Sequence, residues 1–147
     1  MNKKVMPTAW FFVCAIFEVF LRFALPFVVI NSPLLYIGIL LIIFGAWITI
    51  WADNLFKKKK TTVKPYEESD VLIVSGPFTY TRNPMYLGML AFLLGISMLT
   101  GAISTIIPVI VFFIIIHLFY ILPEEKMLKE KFGKDYLDFK AKVRRWL

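Results

Sequence analysis

The chain has 147 residues, enough for one domain, and 59% of them are hydrophobic and 17% aromatic. Long apolar runs and a mean hydropathy of +0.74 exclude a soluble globular protein. The net charge is +7, and the single cysteine, Cys14, excludes an intrachain disulfide and leaves no Cys/His zinc spacing, so no metal ligands are expected.

A helix crosses the hydrocarbon core in about 20 apolar residues. Four runs approach that length: 8–30, 34–51, 85–100 and 103–122. Lys3 and Lys4 give the first run a basic start like that of a signal peptide. It carries Glu18 and Arg22 and has no small-x-small cleavage site before Asn31, so it reads as a retained helix. Glu18 and Arg22 are four residues apart, on one face, and the spacing predicts an ion-paired clasp turned into the bundle; a part in a substrate cavity is the second reading. Cys14 reads as packing. Pro26 is expected to kink the end of this helix, and Ser32-Pro33 to make the turn.

The second run ends in Trp51, a residue typical of the membrane boundary, followed by Asp53, Asn54 and Lys57 to Lys60. Each lysine near an anionic leaflet is worth about 1 kcal/mol, so this run reads as an anchor to membrane lipid. It lacks interleaved aromatics, and no nucleic-acid partner is expected. Beyond it, the apolar stretch Val71 to Val74 precedes a turn signal at Ser75-Gly76-Pro77. Non-helical backbone at the membrane boundary needs protein or a lined cavity to satisfy it, which makes its free polar groups natural ligands for a cofactor.

The third run opens with Asn83 as N-cap and Pro84 at the first helical position. Arg82 and Tyr86 bracket that start, and polar groups crowded against a membrane helix mark a site. Gly38, Gly45, Gly88 and Gly95 offer close helix contacts, within one chain or between chains, so oligomerisation stays open. The fourth run carries His117, a minor candidate, and Tyr120, and is expected to end at Pro123. From 124 to 147, Met127, Leu128, Phe132, Tyr136, Phe139 and Val143 recur at helical spacing among lysines. This predicts a basic amphipathic helix on the membrane surface or over the bundle, interrupted at Gly133. Glu124 and Glu125 open it, suited equally to capping and to binding.

Of the 17 lysines and arginines, all but Arg22 lie in the N-terminus, the segment from 57 to 82, or the tail. Four spans put those regions on one side, and the uncharged turns at 31–33 and near 100 on the other. The expectation is a multi-pass integral membrane protein with both termini cytoplasmic.

The motifs taken together carry a resemblance. Gly76-Pro77-Phe78, then Arg82-Asn83-Pro84-Met85-Tyr86-Leu87-Gly88, then Glu124-Glu125, Leu128, Phe132-Gly133 and Tyr136 resemble the isoprenylcysteine carboxyl methyltransferase and phospholipid methyltransferase superfamily over residues 63–145. The resemblance implies an all-α integral membrane fold of one domain, residues 1–147. It would have four transmembrane helices, a cytoplasmic cofactor-binding segment and the C-terminal amphipathic helix. It implies S-adenosyl-L-methionine as cofactor and a lipid or amphipathic small-molecule acceptor entering from the bilayer. Carried over by position, cofactor contacts fall at Asp70, Val71, Leu72, Ile73, Phe78, Asn83, Pro84, Met85, Tyr86 and Glu124, several through backbone. Arg82, Tyr86, Tyr120 and Glu125 are the catalytic candidates, with Glu125 or Tyr120 assisting an amine nucleophile to lose its proton. The sulfonium methyl is already activated, so the protein must chiefly align the reactants and exclude water, with Phe78, Tyr80 and Tyr86 available to face the cation.

Three positions depart from the family pattern. Asn83 stands where histidine is usual, which removes titration there. Tyr120 stands where the isoprenylcysteine enzymes carry a substrate arginine. The chain ends at Arg144-Arg145-Trp146-Leu147, without a proline-containing extension. These departures weigh against a prenylcysteine substrate and leave the methyl donor in place. The competing readings are an NADPH-dependent lipid or sterol reductase and a non-catalytic scaffold whose basic tail recruits anionic lipid.

Overall fold

A computed structural model describes residues 5–27, 29, 32–59 and 71–147. Helix α1, Pro7–Ala24, starts with proline at its first turn and stops six residues short of the apolar run that holds it. The reason is Pro26, whose ring disfavours helical geometry at the preceding residue; Leu25 sits at φ −143° and ψ 68°. Val29 instead forms an isolated antiparallel bridge with Ala102. A 3-10 turn, Pro33–Tyr36, leads into α2, Ile37–Lys58, which runs seven residues beyond Trp51. Asp53 and Lys57 pair one turn apart there, and Lys57 and Lys58 suit the negative end of the helix dipole.

Helix α3, Pro84–Thr100, ends on Gly101, whose φ of 66° is the left-handed cap that glycine takes without strain. Helix α4, Ile106–Ile116, passes through a π-turn, His117–Ile121, directly into α5, Leu122–Lys142. The expected stop at Pro123 therefore does not occur. Proline lacks an N–H and its ring meets the carbonyl four residues back, and the wider π-turn just before it absorbs both defects. The expected interruption at Gly133 is present, at φ 52° and ψ −118°. After Lys142 the chain becomes extended and folds back toward the start of α3.

Glycine builds the tightest seam. A Cβ on Gly38 would lie 2.5 Å from the Gly95 carbonyl oxygen, and one on Gly95 would lie 3.0 Å from the Ile42 nitrogen. The four glycines thus pack α2 against α3 within one chain, as small residues do where helices in lipid approach backbone to backbone. One apolar core joins α1, α3 and α4 through Cys14, Met89, Leu93, Phe112, Ile116 and Tyr120. A second, formed by Ala52, Ile73, Phe78, Tyr136 and Phe139, joins the end of α2, the segment before α3, and α5. The tail helix therefore lies over the end of the bundle.

Among the described residues, three helices are long and apolar enough to cross a membrane: Pro7–Ala24, Ile37–Lys58 and the continuous Ile103–Lys142, whose apolar part ends near Leu122. The apolar α3 is shorter. Phe12, Ile16, Phe20 and Phe23 on α1, with Leu40, Ile43 and Trp47 on α2, face outward, as lipid-exposed side chains do. The Glu18–Arg22 clasp is not formed. Glu18 is fully buried and neither carboxylate oxygen has a partner among the described residues. The inward stripe runs through Cys14, Glu18 and Leu21, and Arg22 lies beside that stripe, only partly buried.

Candidate functional site

The segment before α3 is shaped by a 3-10 turn, Gly76–Thr79, that buries Pro77 and Phe78. Gly76 takes φ 62° there. The backbone then meets the segment that follows α5. Arg82 N donates to the Arg144 carbonyl at 3.0 Å. Thr81 Oγ1 donates to the Arg145 carbonyl at 3.1 Å, and Asn83 Nδ2 donates to the same carbonyl at 2.9 Å. Asn83 occupies the N-cap position of α3 but its side chain makes no capping bond. The expected cap is corrected accordingly: the Asn83 side chain is turned to donate to the Arg145 carbonyl, and its oxygen does not accept from the N–H groups of the first turn.

A cavity of about 220 Å³ opens beside this start. Its walls are Met6, Pro7 and Thr8 at the head of α1, Asp53 and Phe56 at the end of α2, Phe78, the run from Arg82 to Tyr86, Met89 and Glu124. Among the described residues the lining is mostly apolar and aromatic, with Arg82 as its one cation and Asp53 and Glu124 as its carboxylates.

Arg82 is held from behind. Its side chain is 8% exposed, and Nη1 lies 3.1 Å from Glu125 Oε1 and donates to Tyr136 Oη at 3.1 Å. Its Nε is buried with no partner among the described residues. Glu125 also receives a two-pronged contact from Arg145, with Nε at 2.7 Å and Nη2 at 2.9 Å, and Lys140 stands 3.8 Å away. Burial works to raise the Glu125 carboxyl, but the Arg145 bonds and the charges of Arg82, Arg145 and Lys140 outweigh it and hold the group below its ordinary range. Glu124 behaves oppositely. Burial pushes it up to about 7, the bond donated by the Tyr86 hydroxyl to Oε2 at 3.3 Å opposes this, and the Glu125 charge adds to the rise. Burial, with the Glu125 charge behind it, also raises the Tyr136 hydroxyl.

Phe78, Arg82, Asn83, Pro84, Met85, Tyr86 and Glu124, all expected from the sequence, are brought together at this cavity. Glu125 stands behind Arg82, outside the lining. Val71 is exposed and Ile73 is buried among Ala52 and Phe78. Leu72 lines a separate, open recess of about 620 Å³ with Asp135 and Asp138. Asp70 lies outside the described residues. Tyr120 is buried in the α1–α3–α4 core, where its hydroxyl donates to the Val5 carbonyl at 2.5 Å. It thereby ties down the N-terminal segment that walls the cavity, without lining the cavity itself. His117 stacks on Phe113 at 5.7 Å, beside Trp146, away from the cavity. Among the described residues no cluster of His, Cys, Asp and Glu is suited to a metal. Sequence reasoning missed the head of α1, Asp53 and Phe56, and it missed Arg145. The doubled Arg144-Arg145 was the only signal for the last, and nothing in it named Glu125 as the partner.

The phospholipid methyltransferase family matches residues 34–135, from the entrance of α2 into α5, and so takes in Arg82, Tyr86, Glu124 and Glu125. The chain belongs to that family. A protein-S-isoprenylcysteine O-methyltransferase of Saccharomyces cerevisiae is 31% identical over 112 residues, which cover 73% of this chain and 46% of the yeast protein. The chain thus spans about half the length of that relative. An uncharacterized protein of Haemophilus influenzae is 43% identical over 63 residues, all of that protein and 43% of this chain. With its apolar helices, family membership makes this an integral membrane protein, and the expected kinship to the methyltransferase superfamily holds.

Proposed function

We propose that the protein is an S-adenosylmethionine-dependent methyltransferase acting on a lipid or amphipathic small molecule at the cytoplasmic membrane face. The observation that carries this reading is the cavity at the start of α3. It combines aromatic walls, a buried guanidinium nitrogen without a partner among the described residues, and a carboxylate held by Tyr86. These features fit the ligand: the guanidinium complements a carboxylate, and Phe78, Tyr86 and Glu124 complement a sulfonium and an ammonium. When bound, the cofactor supplies a methyl group already activated on sulfur.

The residues of this chain then have limited tasks. Phe56, Phe78 and Met89 exclude water. Tyr86 fixes the Glu124 carboxylate, and Pro84 and Asn83 fix the backbone around which the cavity is built. Glu124, with a carboxyl that titrates near 7, is better suited to hold a proton from an amine acceptor than Glu125, which is saturated with cations. With the shorter α3 as a fourth span, the cavity would lie on the side rich in lysine, which supports cytoplasmic termini and contact with an anionic leaflet. Calorimetric titration of the purified protein in lipid nanodiscs with S-adenosylhomocysteine tests the reading. Binding that Tyr86→Ala weakens supports it; no binding to the unaltered protein overturns it.

A further inference from the structure

Glu125 has two arginines to choose between, and the structure shows an unequal division. Arg145 takes it with two prongs at 2.7 and 2.9 Å, whereas Arg82 offers only Nη1 at 3.1 Å. Arg82 Nε, which completes one edge of the guanidinium fork, is left buried and without a partner among the described residues. Arg82 is also the only cation lining the cavity among the described residues. A carboxylate that is 11% exposed cannot be left half-paired cheaply, and one robbed of its fork partner takes the nearest fork available.

We propose that Arg145 is a positioning residue: by occupying Glu125 with both prongs it keeps the edge of Arg82 free to bind the carboxylate of the adenosyl ligand. This rests on the methyltransferase reading and adds to it a residue outside the family match at 34–135. Arg145 can hold this place because its own backbone is fixed. Its carbonyl accepts from Thr81 and Asn83, the preceding carbonyl accepts from Arg82 N, and Trp146 beyond it packs on Phe113 with ring centres 5.2 Å apart. The segment after α5 therefore positions the guanidinium in a role that depends on charge and fork geometry, separate from its packing.

The test compares two ligands on full-length protein in nanodiscs: S-adenosylhomocysteine and its decarboxylated analogue, which keeps the ammonium and lacks the anion. In Arg145→Ala, Glu125 turns its free oxygen onto Arg82. Affinity for S-adenosylhomocysteine should fall about tenfold, the value of one charge-assisted bond, and affinity for the decarboxylated analogue should not change. Arg145→Lys, a point charge without a fork, should fall between the two. The double variant Arg145→Ala with Glu125→Gln, which removes the competing charge, should recover S-adenosylhomocysteine binding. Equal weakening of both ligands in Arg145→Ala, or no recovery in the double variant, would mean that Arg145 only holds the fold and would overturn the proposal. Unaltered affinity for S-adenosylhomocysteine in Arg145→Ala would overturn it too. Failure of the unaltered protein to bind either ligand would instead sink the methyltransferase reading, and this proposal with it.

Discussion

Glu124 offers a prediction in which charge and burial can be separated. Its carboxyl titrates near 7 because burial disfavours the charge and Glu125 stands beside it, with only the Tyr86 hydroxyl working the other way. Asp53 and Arg82 share the cavity wall with it. With a pKa of about 7, its ionised share rises from roughly a tenth at about pH 6 to roughly nine tenths at about pH 8. If a sulfonium binds best to the ionised carboxylate, affinity for S-adenosylmethionine should rise about ninefold over that range. S-adenosylhomocysteine has the same frame without the sulfonium charge, so it should lack that component of the rise. The quantity to measure is the ratio of the two dissociation constants, by calorimetry at several pH values in nanodiscs. In Glu124→Gln the ratio should become independent of pH and stay at the value of the unaltered protein at low pH. The same slope in Glu124→Gln, or a flat ratio in the unaltered protein, would show that Glu124 does not face the sulfonium.

The same carboxyl should appear in stability. Its folded pKa lies above its ordinary value of 4.5, so its contribution is complete below that value and is lost as pH rises through about 7. The unliganded protein in detergent should therefore lose up to about 3 kcal/mol from this group between mildly acidic and mildly basic pH, and Glu124→Gln should remove that loss from the thermal unfolding midpoint. Glu125 acts in a lower window, because its depressed pKa gives stability that is lost only as pH falls below the ordinary carboxylate range. At the helix seam, Gly95→Ala places a methyl 2.5 Å from the Gly38 carbonyl oxygen and 3.0 Å from the Ile42 nitrogen, backbone atoms that cannot yield, with the Ile42 side chain 2.7 Å away as well. It should destabilise the bundle by about 1–3 kcal/mol, read as a lower unfolding midpoint in detergent. An unchanged midpoint would mean that α2 and α3 approach less closely.

The cavity was legible where polar side chains interrupt an apolar run. Arg82, Tyr86 and Glu124 stand out because lipid makes such residues costly, and their meeting across α3 and α5 follows from the order of the helices. Apolar run lengths located the helices but misjudged their ends, since hydropathy does not register Pro26 stopping α1 early or a π-turn carrying α4 past Pro123. The Glu18–Arg22 spacing predicts a pair, yet a spacing of four sets a shared face without deciding which side of the inward stripe each residue falls on. Met6, Thr8 and Phe56 became cavity wall through tertiary packing of helix ends, and no local pattern encodes that. Arg145 was hidden for the same reason: its partner lies twenty residues back and across a kink at Gly133.

Titration of the purified, nanodisc-embedded protein with S-adenosylmethionine, S-adenosylhomocysteine and NADPH bears on the cavity at α3 before any acceptor is known. Saturable binding of both adenosyl ligands, weakened by Tyr86→Ala and with no heat from NADPH, is the predicted result. Binding of NADPH alone, or of none of the three, would contradict it.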